Sequence, residues 1–390
     1  MTGTTRIPGP GQNVAVLRKA RGMGQAALAR RAGISVSLLS KIEIGDRTLS
    51  QGVAASIANA LGYTLDEVLG KTPVEPANEG KIKELRGVIR RFDLPGEPPQ
   101  EPSELASRLA DIIRMRGNAD LAGVLGRLPD LLADATNHAH AVGLPGAWST
   151  VADVYSAVYW LAARHRWMDL ADLAVTKQRM AAERADPLAA VIAARDEAGA
   201  FLNFGDFAGG LAVVDRAVVQ AENIPTAHER SFGLGILHLR GMTLAGRLKD
   251  RAEAARHREQ AWRLTEDFPR DIGDHGIHFG PENTLTHVVA TSVDMEDYGE
   301  ALSAMEDIRN NPLSLPATRI GPLHMNASRA RLALGDREGA LDSLSEAWDA
   351  APQMARVHPH SQELLRVLTS IHRRSNPRLM TLAKRAGIPF

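Results

Sequence analysis

No cysteine occurs among the 390 residues, which excludes disulfide scaffolds, thiolate zinc sites, iron–sulfur clusters and cysteine nucleophiles together. No apolar run approaches the roughly 20 residues of a membrane span, and the opening MTGTTRIPGPGQN has no signal-peptide core, so a cytoplasmic chain is expected. Also missing are Gly-x-Ser-x-Gly, the phosphate loop Gly-x-x-x-x-Gly-Lys and His-Glu-x-x-His. Scattered Ser, His and Asp do not argue for catalysis, and a non-enzymatic protein without cofactor or metal is expected. What is present is ordinary: 44% hydrophobic and 24% charged residues, enough apolar area for sizeable cores. At about 100 to 200 residues per domain, this length implies two or three.

Net charge is also absent, with 46 Lys and Arg against 46 Asp and Glu. The zero is a cancellation. Residues 1–91 hold 14 basic against seven acidic side chains, and the remainder holds 32 against 39. A basic head on an acidic body favours an anionic partner for the head alone.

Residues 1–12 read as a flexible tail, and the head itself as five short helices over 13–70. Asn13 is placed to cap the first, with Val14, Val16 and Leu17 within it. Gln25 opens the second, with Leu28, Ala29 and Ala32 on one face, and Gly33 supplies the left-handed turn that stops it. Ser35 caps a third helix that points Leu38, Leu39 and Ile42 inward and leaves Val36, Ser37, Ser40 and Lys41 outside. A fourth carries Ile57, Ala60 and Leu61. Thr64 caps a fifth, with Leu65, Val68 and Leu69.

The order from Gln25 through Gly33, Ser35 and Lys41 to Gly45 closely resembles the Cro/CI-type (XRE-like) helix-turn-helix of phage repressors and their bacterial relatives, over about residues 12 to 70. That resemblance implies that the third helix lies in the major groove of double-stranded DNA while the amide end of the second abuts a phosphate. Val36, Ser37 and Lys41 then match base-facing positions: valine meets a thymine methyl, serine is permissive, and lysine donates to guanine. Gln25, Ser35, Ser40 and Arg47 suit the capped helix start and the sugar-phosphate contacts that fix register. Many relatives carry an amide or arginine where Val36 stands, so part of the specificity falls to DNA shape. Arg18 and Glu43 match positions that form an ion pair between the first and third helices in the family.

Residues 71–102 read as a Pro-rich linker interrupted by one helix over 82–92, with Pro95, Pro98, Pro99 and Pro102 forming a second spacer. From Ser103 onward Ala- and Leu-rich helical periods recur without an alternating strand, so the whole chain is expected to be all-α. Turns at Gly205-Asp206, Gly246-Arg247, Glu296-Asp297 and Gly335-Asp336 recur at intervals of 41, 50 and 39 residues, and weaker ones at Gly117-Asn118 and near Trp167 extend the series. Gly335, Ala340, Leu344, Ala347 and Pro352 fall at tetratricopeptide spacing. The body over 103–390 thus resembles an α-solenoid of five or six degenerate tetratricopeptide-like helix pairs.

Counting back from the turns places Arg195, Arg240, Asn283, Thr286, Met325 and Arg329 near a concave face. There an asparagine can hold a peptide backbone and arginines can hold carboxylate or phosphate. Asp271, Asp274, His275 and His278 lie in a Gly-rich loop without a metal-binding spacing. The chain resembles regulators of Gram-positive bacteria, including the actinobacterial kind, that join this head to a tetratricopeptide body. In some of them a secreted peptide controls DNA binding. A homodimer on a palindromic operator, responding to a peptide or small-molecule effector, is the expectation. The alternative is a scaffold whose body binds a partner protein while the head localises it.

Overall fold

The computed structural model describes residues 9–70, 76–310, 313–371 and 376–386. The head contains α1 (Pro10–Ala20), α2 (Gln25–Arg31), α3 (Val36–Ile44), α4 (Gln51–Leu61) and α5 (Leu65–Leu69). Its first helix starts before Asn13, because Pro10 pre-sets the backbone dihedral of a first turn. The expected tail is therefore helical from Pro10 and packed, with Gly11 against the Ile42 carbonyl. Asn13 is not a cap: its amide donates to the carbonyls of Glu67 and, at 3.1 Å, Val68, tying α1 to α5. Thr64 and Glu67 form a reciprocal capping box on α5.

The expected linker helix is longer and is not part of a spacer. It runs Pro76–Arg90 (α6) and buries Ile82, Leu85 and Ile89, with Phe92 beyond its end, in the core of the body. The second proline cluster is fastened too. Asn137 accepts from Gly96 N at 2.9 Å and donates to the Glu97 carbonyl at 3.0 Å, while His140 Nε2 lies 2.8 Å from the Phe92 carbonyl oxygen. The first proline-rich stretch, over 71–75, lies outside the described residues.

The body begins with α7 (Leu105–Gly117), α8 (Leu121–Val142), α9 (Pro145–His165), α10 (Met168–Ala182), α11 (Pro187–Phe204) and α12 (Phe207–Ala221). It continues with α13 (Ala227–Leu248), α14 (Arg251–Leu264), α15 (Pro281–Asp294), α16 (Tyr298–Asn310), α17 (Ala317–Ala333) and α18 (Arg337–Ala350). Then come α19 (Pro352–Val357), α20 (Pro359–Ile371) and α21 (Pro377–Arg385). Successive helices pack on one another along the chain, the pattern of a stacked helical repeat.

Turns between paired helices follow one device. A residue in the left-handed region is followed by an aspartate, whose carboxylate caps the next helix by accepting from the N–H three residues on. Asp120 takes Gly123 N, Asp206 takes Gly209 N, Asp250 takes Glu253 N and Asp336 takes Gly339 N. Left-handed residues precede them at Ala119, Gly205, Lys249 and Gly335. The turn expected at Gly246-Arg247 is in fact inside α13, and the chain reverses at Lys249 (φ 60°). Gly246 is there for closeness instead, since a Cβ would lie 2.8 Å from the Thr291 methyl.

Two features depart from an open all-helical array. Between α14 and α15 a hairpin pairs β1 (Ile272–Asp274) with β2 (Ile277–Phe279) across His275-Gly276, both in the left-handed region as a two-residue hairpin turn requires. Secondly, the array closes on itself. Ala351 and Met354 pack in the same core as α7–α10, and Gln353 accepts from Ala122 N at 3.0 Å and donates to Asp120 Oδ1 at 3.0 Å.

The hairpin tip ties this closure across the interior. His275 Nδ1 lies 2.8 and 3.0 Å from the two Asp153 oxygens on α9. Burial opposes protonation of His275, but the Asp153 hydrogen bond and charge outweigh it and push the imidazole up to about 8. Asp153 is held above the usual carboxylate range by its own burial, with His275 pulling it back. Near neutrality the pair is an imidazolium facing a carboxylate, because the hydrogen bond and charge of Asp153 favour the protonated ring. A raised folded-state value stabilises fully below the unfolded value near 6.5 and is lost as pH rises through about 8. His275→Ala should therefore cost roughly 2 kcal/mol near pH 6 and much less at pH 9, read by denaturant melts. A pH-independent loss contradicts the assignment.

Candidate nucleic-acid interface and inner chamber

The third head helix is built to present a face. Ser35 Oγ accepts from Leu38 N at 3.1 Å to start it, and Gly45 (φ 88°) ends it in the left-handed conformation. Leu39 and Ile42 are fully buried while Leu38 is half-buried, which leaves Val36 46% exposed and Ser37 and Lys41 open. At Gly33 (φ 66°) no neighbour crowds a Cβ position, so backbone conformation alone requires the glycine.

A buried ion pair clamps this helix to α1. Arg18 Nε and Nη2 donate to Glu43 at 2.6 and 2.7 Å, and Arg18 Nη1 donates to the Met23 carbonyl at 2.8 Å. Burial raises the Glu43 carboxyl, but the hydrogen bonds from Arg18 and Gln25 win and hold it below its ordinary value. Gln25, expected to contact phosphate, thus spends its amide on Glu43 Oε2 at 2.9 Å and belongs to the clamp.

The helix faces the body. Ser35, Ser37, Lys41 and Arg47 line a cleft of about 1010 Å³ whose far wall includes Asp294, Glu296, Tyr298, Arg329 and Arg337. Ser40 is half-buried on α3 outside that lining. The head rests on the body through α4 against α13 and α5 against α11: Ala55 and Leu65 sit over Gly205, and Gly52 lies against the Arg247 carbonyl. Head and body share one apolar cluster running from Val14 to Val288.

Behind the cleft lies a separate chamber of about 200 Å³ inside the closed array. Five arginines line it (Arg164, Arg166, Arg240, Arg247 and Arg319), together with His287, His358 and His360, and no Asp or Glu does. Of the residues expected on a concave face, Arg240, Thr286 and Met325 reach it. Met325 is 1% exposed and belongs to the core of the last helices. Asn283 is a fold residue, 1% exposed, donating to the His278 carbonyl at 2.7 Å. Arg195 is paired with Asp196 at 2.7 Å. Arg329 lines the cleft instead and holds Asp294 Oδ1 at 3.0 Å.

Sequence reasoning missed Arg164 and Arg166 at the end of α9, Arg247 on α13 and Arg319 on α17, which share no common spacing. The Asp271 loop serves structure, because its carboxylate accepts from Glu282 N and Asn283 N at 2.7 and 2.9 Å and so caps α15. Among the described residues Asp215, Glu253 and His257 cluster as metal ligands would. Arg256 occupies that place, paired with both carboxylates.

Residues 14–68 match a helix-turn-helix family model. The head is therefore a helix-turn-helix DNA-binding domain, joined to an all-helical repeat body. No curated protein matches the chain. A crystal structure of the PrgX/iCF10 complex aligns over 94% of this chain and 97% of that one at 10% identity and a TM-score of 0.26. The apo form of the competence regulator ComR from Streptococcus vestibularis aligns over 97% and 98% at 12% identity and a TM-score of 0.20. TM-scores this low carry no argument for this chain. No helix among the described residues is long and apolar enough to cross a membrane.

Removing one partner of the α1–α3 clamp leaves a buried charge uncompensated. Glu43→Gln should destabilise the head by about 3–5 kcal/mol, seen as faster amide exchange over α1–α3 in the full chain. Unchanged protection there would show that the clamp is dispensable.

Proposed function

We propose that this chain is a sequence-specific transcription regulator that binds a palindromic operator as a homodimer. Its helical body pairs the subunits and responds to a peptide or small-molecule effector, without catalysis. The observation that carries this reading is the recognition helix of a helix-turn-helix domain held across a cleft from an effector-sized chamber. A single head offers few base contacts, so two heads on a two-fold site supply the affinity. Val36, Ser37 and Lys41 are the base-facing residues, with Ser40 and Arg47 toward the backbone.

The docked head is not ready for DNA. Ser35, Ser37, Lys41 and Arg47 face the wall of the body that carries Asp294, Glu296, Tyr298 and Arg329. A duplex seated on this helix would have to occupy the space between the helix and that wall. Operator binding therefore requires the head to leave this position, and an effector acts by favouring one arrangement over the other.

Selection of bound sequences from random duplex DNA by the full chain should recover a two-fold site whose affinity falls steeply with salt. Lys41→Ala should lose about 1–3 kcal/mol on that site and far less on unrelated DNA. An equal loss on both would demote Lys41 to a phosphate contact, and failure to enrich any sequence would sink the reading.

A further inference from the structure

The chamber carries charge that the protein does not neutralise. Arg164, Arg240 and Arg319 line it, and none of the three makes a salt bridge or hydrogen bond among the described residues. Their Nε atoms are buried without an acceptor, as is that of Arg116 just beyond the lining. Arg116 instead stacks over the Trp160 ring at 5.4 Å and Arg164 over the same ring at 5.8 Å. The three side chains are half-buried with the Nε fully enclosed, and a guanidinium so placed without a counter-charge is costly.

The neighbouring cations disfavour one another's charge. Burial first, and then the positive charges of Arg195, Arg164, Arg240 and Arg116, push Arg319 down to about 9. Burial and Arg195 bring Arg240 down to about 10. His287 is held neutral, well below its ordinary value, by burial and by Arg319, Arg240 and Arg195. Asp196, the nearest carboxylate in this group, is already committed: it accepts from Arg195 Nη1 at 2.7 Å, Ser156 Oγ at 2.7 Å and Gln178 Nε2 at 3.2 Å.

The free donors say what kind of ligand fits. Amides are the minority of the lining: Asn203 spends its own on the Gly199 carbonyl at 2.9 Å and Tyr159, Asn326 Oδ1 accepts from Arg329, and Gln51 comes from the head. The predominant donor is guanidinium, which matches phosphate and carboxylate oxygens in bidentate fashion. Three or four cations around some 200 Å³ demand high charge in little volume. A phosphate carries up to two negative charges where a carboxylate carries one.

We propose that the inner chamber binds a compact small molecule carrying two or more phosphate groups, held by the guanidiniums of Arg164, Arg240 and Arg319. The assignment rests on the effector reading above and gives the effector its chemical class. It also supplies a route to the head. Arg247 lines the chamber and lies 2.9 Å from Asp294 Oδ2, without hydrogen-bond alignment at its Nε, while Arg329 holds the other oxygen of Asp294 from the cleft side. A phosphate in the chamber competes with Asp294 for Arg247 and loosens the cleft wall that faces the recognition helix.

The probe is inorganic tripolyphosphate, titrated calorimetrically into the full chain, with tricarballylate and sulfate at matched ionic strength as comparison anions. Saturable one-to-one binding of tripolyphosphate is expected, weaker with tricarballylate and absent with sulfate. Arg319→Gln and Arg240→Gln should each weaken it about ten- to hundredfold, and Arg319→Lys should recover only part. The ligand-free Arg319→Gln protein should melt no lower than the parent, because the substitution removes an unpaired buried charge; a structural arginine would give the opposite. The exposed Arg263→Gln should bind as the parent does. Absence of saturable binding, equal binding of sulfate, or equal losses in Arg319→Gln and Arg263→Gln would overturn the site. Tripolyphosphate that binds but leaves operator affinity unchanged refutes its role as effector and leaves the site standing. An effector that changes operator affinity while tripolyphosphate fails to bind refutes the site and leaves sensing standing.

Discussion

The closure of the helical array on itself is the constraint on which the rest depends. An open superhelix would leave its inward arginines in water, where screening makes them unremarkable surface charges. Here α19 returns against the first helices of the body and Gln353 bonds to the turn at Asp120. The hairpin fixes His275 to Asp153 across the interior. These contacts convert a concave face into a chamber that gathers arginines from α9 and the turn after it, from α13 and from α17, with no carboxylate in its lining. A body that is acidic overall thus has a basic inside.

Head and chamber meet at a shared carboxylate. Asp294 is drawn on by Arg247 from the chamber and by Arg329 from the cleft, and at 9% exposure it is scarcely relieved by water. Each arginine holds a different oxygen of the same carboxylate, so Asp294 is the point at which the lining of the chamber touches the wall of the cleft. The head docks through small residues that join its core to that of the body. Gly205 and Gly52 let the head approach closely, and Ala55 is the small residue that fits over the first of them. The Arg18–Glu43 clamp lies wholly within the head, so it holds the third helix independently of the contact with the body.

The head was legible because its signals are local. Ser35, Gly45 and Thr64 act within a few residues of where they stand, and all three cap as expected. The repeat turns at Gly205, Glu296 and Gly335 stand where the sequence places them, and those near Gly117-Asn118 and Trp167 lie within two residues of the expected positions. Ala119, Arg166, Lys249 and Glu296 take the left-handed position at a steric cost, so the marker that glycine gives is missing there. The aspartate cap following Ala119 and Lys249 is the steadier signal. The linker was misread because proline frequency says nothing about packing: Phe92 is 1% exposed and Asn137 holds the prolines down. The chamber was not legible at all. Its cations come from residue 164 to residue 319, and what unites them is closure, a long-range fact with no imprint on spacing.

The measurement that bears most directly on the central claim is the distance between head and body with and without DNA. Because the chain has no native cysteine, the pair Arg30→Cys on the exposed side of α2 and Arg337→Cys at the start of α18 takes spin labels at those two places alone. Pulsed electron resonance on the free full-length protein should give one short distance. Addition of the selected operator should shift it to a longer one as the recognition helix leaves the cleft. A distance that stays the same while operator is demonstrably bound would contradict the account, since the duplex would then be reading a face that the body covers.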